Sequence, residues 1–350
     1  MDRAPPGRLD RRDHSGPGTS RRRSGAGARR RLRQVCSSLS PEVYAALADQ
    51  ARARRIPFAG HLPRDISLVE AAAAGQRSVE HLGGVGDLAA LDSVAVDSVL
   101  AILVRDSVWQ TPTLSVLRVA ADPLDPALAS DPRLRYVPVT LAALWGVVRR
   151  IAAGDTSAAR VAGRRAEWAR QRASVGRMWR AGVPILAGTD LPNPYTIPGF
   201  SLHAELALLV EAGLPPRAAL QAATRNAARF LDAGDSLGTI EVGKHADLVL
   251  LDGDPLADIA NLSRIIGVVR AGRFLDRNEL DGILATVARK RWRPGAASWI
   301  LAGAIVHRVP TAVRLAALGL LLSIPLAAWL VRRRRRRARA ASTGRREGLF

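Results

Sequence analysis

Short apolar runs alternate with amphipathic, helix-like stretches from about residue 37 to residue 235, and this alternation restricts the fold of the 350-residue chain more than any other feature. The apolar runs fall at residues 56–61, 78–81, 108–111 and 182–190. Each is nearly continuous in apolar residues, as is typical of a strand buried on both faces. The pattern therefore predicts an α/β fold in which helices cover a parallel sheet.

Three of these runs end in a residue that can bind a metal ion, namely His61, His81 and Asp190. The carboxyl ends of the strands in a parallel α/β barrel meet on one face, where catalytic groups collect. We therefore expect the three side chains to converge, and two imidazoles with a carboxylate form a ligand set that suits Zn²⁺. Taken singly the signals leave alternatives open, because a lone His at a strand end is more often a hydrogen-bonded structural residue and Asp190 could cap the next helix.

The net charge of +21 is concentrated at the two ends of the chain. Residues 1–35 hold eleven Arg against three Asp, and residues 332–350 hold nine Arg against one Glu, so the ends supply 16 of the 21 charges. The seven Trp are scattered, without the interleaving of basic and aromatic residues that marks a nucleic-acid platform. These patterns argue against a specific nucleic-acid partner. The chain has a single cysteine, Cys36, which excludes an intramolecular disulfide.

Composition and periodicity divide the chain into six predicted segments. They are a disordered Arg- and Gly-rich tail (1–36), half of an α/β barrel (37–235) with a helical insertion (125–180), a small β-rich unit (236–285), a linker (286–314), an apolar helix (315–331) and a basic tail (332–350). Within the β-rich unit the pattern predicts strands at 238–240, 246–251 and 265–271 and a tight hairpin at Ala271-Gly272.

The apolar segment 315–331 contains no charged residue over 17 positions and is followed directly by six arginines. Because a membrane-spanning helix needs roughly 17–25 residues, the segment predicts a single-pass transmembrane helix with a cytoplasmic C-terminus. The alternative is a packed helix followed by a solvated basic tail. The side of the membrane on which the preceding domain would lie is left open.

Several stretches resemble the amidohydrolase superfamily, particularly its imidazolonepropionase-like and prolidase-like members. They are Pro-Phe-Ala-Gly-His-Leu-Pro (57–63), Gln-Arg-Ser-Val-Glu-His-Leu (76–82), Gly-Val-Pro-Ile-Leu-Ala-Gly-Thr-Asp (182–190), His-Ala-Glu-Leu (203–206) and the long string from residue 238 to residue 256. The resemblance extends over about residues 37–285, with a poorly matching middle. It implies the second half of a metal-dependent hydrolase barrel with the remnant of a small β-sandwich.

The resemblance also implies roles for the three strand-end residues. His61 and His81 would be the metal-binding histidines that follow the fifth and sixth barrel strands. Asp190 would be the acid that follows the eighth strand, which binds the metal and moves the proton of the attacking water. The implied reaction is the hydrolysis of carbon–nitrogen bonds, either bonds outside linear peptides or bonds in dipeptide-like small molecules. The implied cofactor is a divalent cation, most often zinc.

Two departures from the family pattern limit this expectation. The sequence contains no His-x-His pair, which the family carries on its first strand. Gln34 stands where the dimetal members carry a carboxylated Lys, and a Gln side chain cannot be carboxylated. We therefore expect a chain that is N-terminally incomplete relative to the family, with weak or absent hydrolysis and with self-association through open sheet edges. The alternatives are an inactive half-barrel that serves as a membrane-anchored binding or assembly module, and a binder of anionic lipid or nucleic acid that acts through the basic tails.

Overall fold

The computed structural model describes residues 32–88 and 92–292. The strands are β1 (Arg33–Val35), β2 (Phe58–Gly60), β3 (Ser78–Glu80), β4 (Trp109–Thr111), β5 (Leu248–Leu251), β6 (Ile265–Arg270) and β7 (Arg273–Asp276). The α-helices are α1 (Pro41–Ala53), α2 (Leu68–Ala74), α3 (Val85–Leu88), α4 (Ser93–Arg105), α5 (Leu114–Ala121), α6 (Pro126–Ala129), α7 (Val139–Ala153), α8 (Ala158–Arg180), α9 (Phe200–Glu211), α10 (Pro216–Ala223), α11 (Arg225–Phe230) and α12 (Arg277–Lys290). Two 3-10 helices occupy Pro132–Tyr136 and Ile259–Ser263.

The first four strands form a parallel sheet in the order β1-β2-β3-β4, which confirms the predicted α/β fold. The predicted strand at 182–190 joins this sheet through one parallel bridge, between Gln110 and Ile185. The Gln110 N–H donates to the Pro184 carbonyl and the Leu186 N–H donates to the Gln110 carbonyl, each at 2.9 Å. The chain at residues 184–186 therefore occupies the fifth position of the sheet, beside β4.

The sheet begins earlier than the sequence indicates. Strand β1 lies within residues 1–36, which the sequence assigns to the tail, and it pairs with β2 over three residues. Its three residues are Arg, Gln and Val, of which Val35 alone is buried, so no apolar run marks the strand in the sequence. At the other end, α12 crosses the predicted boundary at residue 285.

A row of residues on one face of the sheet supports the core. The register aligns Val35, Gly60, Val79 and Gln110 across the four strands, and all of them are buried beneath the helical layer. Helix α2 begins at a capping box, in which Ser67 and Glu70 satisfy each other's backbone N–H groups, and ends at Gly75 in a left-handed conformation. Such short, well-capped helices bring each strand end back to the same edge of the sheet.

The β-rich unit is a separate antiparallel sheet in the order β5-β6-β7. The predicted hairpin between β6 and β7 is confirmed, with Ala271 and Gly272 both at positive φ. The predicted strand at 238–240 is wrong, because these residues pair with no strand in the part of the chain that the structure describes, and Ile240 is 85% exposed. Val249 and Phe274 are also more than half exposed, so this sheet has an uncovered apolar surface.

The predicted transmembrane helix needs correction. Among residues 32–88 and 92–292, no helix is long and apolar enough to cross a membrane. The segment 315–331, on which the prediction depended, lies outside the described residues. The prediction was based only on the apolar composition of the segment, and none of the described helices has that length and composition. The single-pass membrane localisation and the membrane anchor are therefore not retained.

Candidate functional site

The three predicted ligands lie at the same edge of the parallel sheet. His61 directly follows β2, His81 directly follows β3, and Asp190 follows the chain segment that bridges to β4. The imidazole rings of His61 and His81 are 4.7 Å apart between centroids. Nε2 of His81 lies 3.6 Å from Oδ2 of Asp190. His81 therefore lies beside both His61 and Asp190.

His61 is held by the backbone of the neighbouring strands. Gly60, which precedes it, has a φ of +129°, and a Cβ at Gly60 would lie 2.6 Å from the Val35 carbonyl oxygen. A glycine is therefore required directly before His61. The His61 N–H donates to the Val35 carbonyl at 3.1 Å. Nδ1 of the His61 ring is buried and has no hydrogen-bond partner among residues 32–88 and 92–292. A buried ring nitrogen of this kind is the sort of atom that a ligand or cation can satisfy.

The His81 ring is oriented by Thr113. Nδ1 of His81 lies 2.8 Å from Oγ1 of Thr113, whose hydroxyl donates to the Pro112 carbonyl at 2.7 Å. Because a hydroxyl has one proton, it accepts from His81 here, and the ring carries its proton on Nδ1. In the neutral imidazole, Nε2 then carries a lone pair directed toward Asp190. In the sequence, the only signal for Thr113 is Pro112, which marks the end of the strand before it.

Asp190 is held by the loop that follows it. The Asn193 side-chain amide donates both to Oδ2 and to the backbone carbonyl of Asp190. A small second core formed by Val137, Leu141, Trp145 and Ile197 lies under this loop. The indole N–H of Trp145 donates to the Pro192 carbonyl at 3.2 Å, which ties the loop to helix α7.

Three residues of the site share an uncommon backbone conformation. His81, Thr113 and Asp190 have φ values of 59°, 51° and 45°, in the left-handed region that non-glycine residues seldom adopt. Each such residue costs on the order of 1 kcal/mol, and such residues cluster at functional sites. The surrounding hydrogen bonds hold them in place.

A buried carboxylate, Glu205, lies behind this edge on helix α9. Glu205 is fully buried and accepts the N–H groups of Leu114 and Ser115, at 2.9 Å and 2.7 Å. Burial raises the pKa of Glu205 to about 7, against the lowering effect of these two hydrogen bonds. Glu205 was not predictable as a site residue from the sequence. Its only signal was its place within the string His-Ala-Glu-Leu.

Two further histidines, His203 and His245, lie in the described part of the chain. Burial, and then the positive charge of Arg133, lowers the pKa of His203 on helix α9. His245 is exposed in the turn before β5. A hollow of about 730 Å³, lined among others by Arg55, Phe58 and Arg77, lies at the amino-terminal ends of β2 and β3 and so does not include the site.

The donor types fit a divalent cation. Nε2 of His81 and Oδ2 of Asp190 both carry lone pairs and face each other, an arrangement that a cation or a proton between them stabilises. The orphaned Nδ1 of His61 adds a second imidazole beside them. Within residues 32–88 and 92–292, however, no group of three or more His, Cys, Asp or Glu is already arranged to hold a metal ion. The fit therefore rests on the donor types and on the two pairwise contacts.

The chain is similar to several known proteins. The model of the amidohydrolase family matches residues 34–275. The imidazolonepropionase of Aromatoleum aromaticum is 48% identical over 84 residues, which are 24% of this chain and 20% of the relative. That of Caldanaerobacter subterraneus is 39% identical over 88 residues, 25% of this chain and 21% of the relative. The matched segments thus span about a fifth of these relatives.

Among solved structures, a bottromycin amidohydrolase is similar to this chain with a TM-score of 0.57 and 27% identity. The match covers 74% of this chain and 58% of that protein. The family model extends over more than half of the chain, and this match leads to one conclusion. This chain belongs to the amidohydrolase family.

Proposed function

We propose that His61, His81 and Asp190 together bind one divalent cation and that the chain hydrolyses a carbon–nitrogen bond in a small molecule. The observation that carries the proposal is the 3.6 Å approach of His81 Nε2 to Asp190 Oδ2, at the strand edge that the family uses for catalysis. Two nitrogen donors and one oxygen donor favour zinc over the harder cations.

The chain's own residues have distinct tasks in this reaction. A bound divalent cation supplies a more acidic water molecule and polarises the scissile carbonyl. Asp190 accepts the proton of the attacking water and returns it to the leaving nitrogen, and Asn193 keeps the carboxylate in one orientation. Thr113 keeps the Nε2 lone pair of His81 directed toward the same point. His61 completes the donor set from the neighbouring strand.

The proposed substrate is a cyclic or dipeptide-like amide. Imidazolonepropionases are among the similar proteins, and the bottromycin amidohydrolase is the structural relative above. The named activities of these proteins support small-molecule amide hydrolysis as the class of reaction.

Hydrolysis by the purified full chain tests this function. With Zn²⁺ or Mn²⁺ added, we expect slow, chelator-sensitive turnover within a panel of dipeptides, N-acyl amino acids and cyclic amides. Asp190→Asn should reduce this turnover at least about a hundredfold, since loss of a general base typically costs 10²–10⁴. Asp65→Asn, a change at an exposed carboxylate, is the matched control. Turnover that survives Asp190→Asn would contradict the assigned role.

The second candidate function is that of a binding module without catalysis. Gln34 lies on β1, paired with Ala59, so an uncharged amide occupies the strand position where the resemblance implies a carboxylated Lys. An amide at this position favours a site with fewer ligands than a dimetal enzyme. Cation binding without any turnover across the panel would support this alternative.

Self-association through a sheet edge remains a prediction. In the described chain β1 pairs with β2 alone, and an edge strand offers its remaining backbone groups to another chain. Light scattering coupled to size-exclusion chromatography measures the outcome directly. A monomer at all concentrations would contradict the prediction.

A further inference from the structure

Helix α5 begins with a cap that comes from a distant part of the chain. The first two N–H groups of the helix, at Leu114 and Ser115, donate to the two carboxylate oxygens of Glu205. Glu205 lies about 90 residues later, on helix α9, and has no exposed surface. Burying a carboxylate costs free energy unless hydrogen bonds compensate it. The two hydrogen bonds to helix α5 supply this compensation.

The residue that would ordinarily cap helix α5 is Thr113. A Thr at this position usually accepts a backbone N–H from the first turn with its own hydroxyl. Thr113 makes no such bond. Its backbone is left-handed, and its hydroxyl contacts His81 Nδ1 and the Pro112 carbonyl instead. Glu205 thus satisfies the N–H groups that Thr113 leaves unsatisfied.

We propose that Glu205 is a positioning residue for His81, acting through the start of helix α5 and Thr113. By capping the helix, Glu205 leaves the Thr113 hydroxyl available to hold the proton of the imidazole on Nδ1. Nε2 is then kept unprotonated toward Asp190, which is the state that cation binding requires. The inference rests on the proposed function, because it assigns Glu205 to the ligand set of that site.

The alternative is that Glu205 stabilises the fold and nothing more. The two possibilities differ in what happens to the His81 ring. A purely structural cap would leave the tautomer of His81 unchanged in any variant that folds. A positioning residue would change the tautomer without any contact with the ring.

Nitrogen-15 NMR of the histidine rings tests the proposal, in the full chain at pH 8 without added metal or substrate, where Glu205 is a carboxylate. His81→Asn assigns the signals. We expect wild-type His81 to show the Nδ1–H tautomer. Glu205→Gln replaces one of the two acceptor oxygens by an NH2 donor, so it should lose this pattern and give a mixture of the two tautomers. Glu211→Gln, an exposed change on the same helix, is the control and should match the wild type.

Changes at Thr113 complete the test. Thr113→Val should reproduce the loss seen with Glu205→Gln, and the double variant should show no further change, since both act on one path. Thr113→Ser, which keeps the hydroxyl, should restore the Nδ1–H pattern. If Glu205→Gln does not fold, Glu205→Asp, with a carboxylate one methylene shorter, replaces it.

An unchanged His81 tautomer in a folded Glu205 variant, or in Thr113→Val, overturns the proposal. The measurement needs no catalysis, so failure of the hydrolysis assay would count against the proposed function alone. Conversely, active enzyme with an unchanged tautomer would remove Glu205 from the site and leave the proposed function intact.

Discussion

The buried carboxyl of Glu205 predicts a specific dependence of stability on pH. Burial raises the pKa of Glu205 from its ordinary value of 4.5 to about 7 in the folded chain. Between these values the folded state holds a proton on Glu205 that the unfolded state has released. The free energy of unfolding contributed by Glu205 is therefore fully present below pH 4.5 and falls as the pH rises toward 7. The loss is complete about one pH unit above the folded pKa.

The magnitude follows from the size of the rise in pKa. Each pH unit corresponds to about 1.4 kcal/mol, so the pKa of Glu205 implies a loss of about 3 kcal/mol between the two pH values. Such a loss is a large part of the 5–15 kcal/mol that typically separates folded from unfolded proteins. Glu205→Gln has no proton to exchange and should lack this component.

Urea unfolding from pH 4.5 to pH 8 measures the effect. The free energy of unfolding of the wild type minus that of Glu205→Gln should fall by about 3 kcal/mol across this range. The difference cancels the titration of groups that both proteins share. Glu211→Gln, on the same helix, removes an exposed ion pair with Arg172 and should keep the pH dependence of the wild type, with an offset of at most about 1 kcal/mol. Parallel curves for the wild type and Glu205→Gln would refute the reasoning.

The remaining predictions concern packing around the sheet and the Asp190 loop. A Cβ at Gly176 would lie 2.2 Å from the Ala212 carbonyl oxygen, so Gly176→Ala should destabilise the fold by about 1–3 kcal/mol in urea unfolding. Gly163→Ala, on the same helix with open space around it, should be neutral or stabilise by up to about 1 kcal/mol, and equal losses for both would contradict the packing argument. Trp145→Phe removes the hydrogen bond to the Pro192 carbonyl and should cost about 1–3 kcal/mol, and an unchanged unfolding midpoint would show that this bond does not hold the loop.

The parallel sheet and the positions of His61, His81 and Asp190 were predictable because each depends on local pattern. Buried parallel strands are continuous apolar runs, and topology alone brings their carboxyl ends together. The local apolar pattern does not reveal β1, whose residues are mostly polar, and it wrongly predicts a strand at 238–240. In both places the outcome depends on tertiary pairing and not on the local sequence.

The orientation of the site was not predictable from the sequence. His81 is turned by Thr113, 32 residues away, and Thr113 is freed by Glu205, about 90 residues further on. No periodicity or spacing encodes contacts of this range. The left-handed backbone at His81 and Asp190 is likewise not predictable from the sequence, because non-glycine residues adopt this conformation uncommonly.

Zinc binding to the full chain tests the central claim most directly, because the claim is that His61, His81 and Asp190 form one cation site. Isothermal titration should give one zinc ion per chain, and His81→Asn should weaken the affinity at least about tenfold, as should Asp190→Asn. His245→Asn, at an exposed histidine outside the site, should bind as the wild type does. Wild-type affinity retained by a chain that carries both site substitutions would contradict the account.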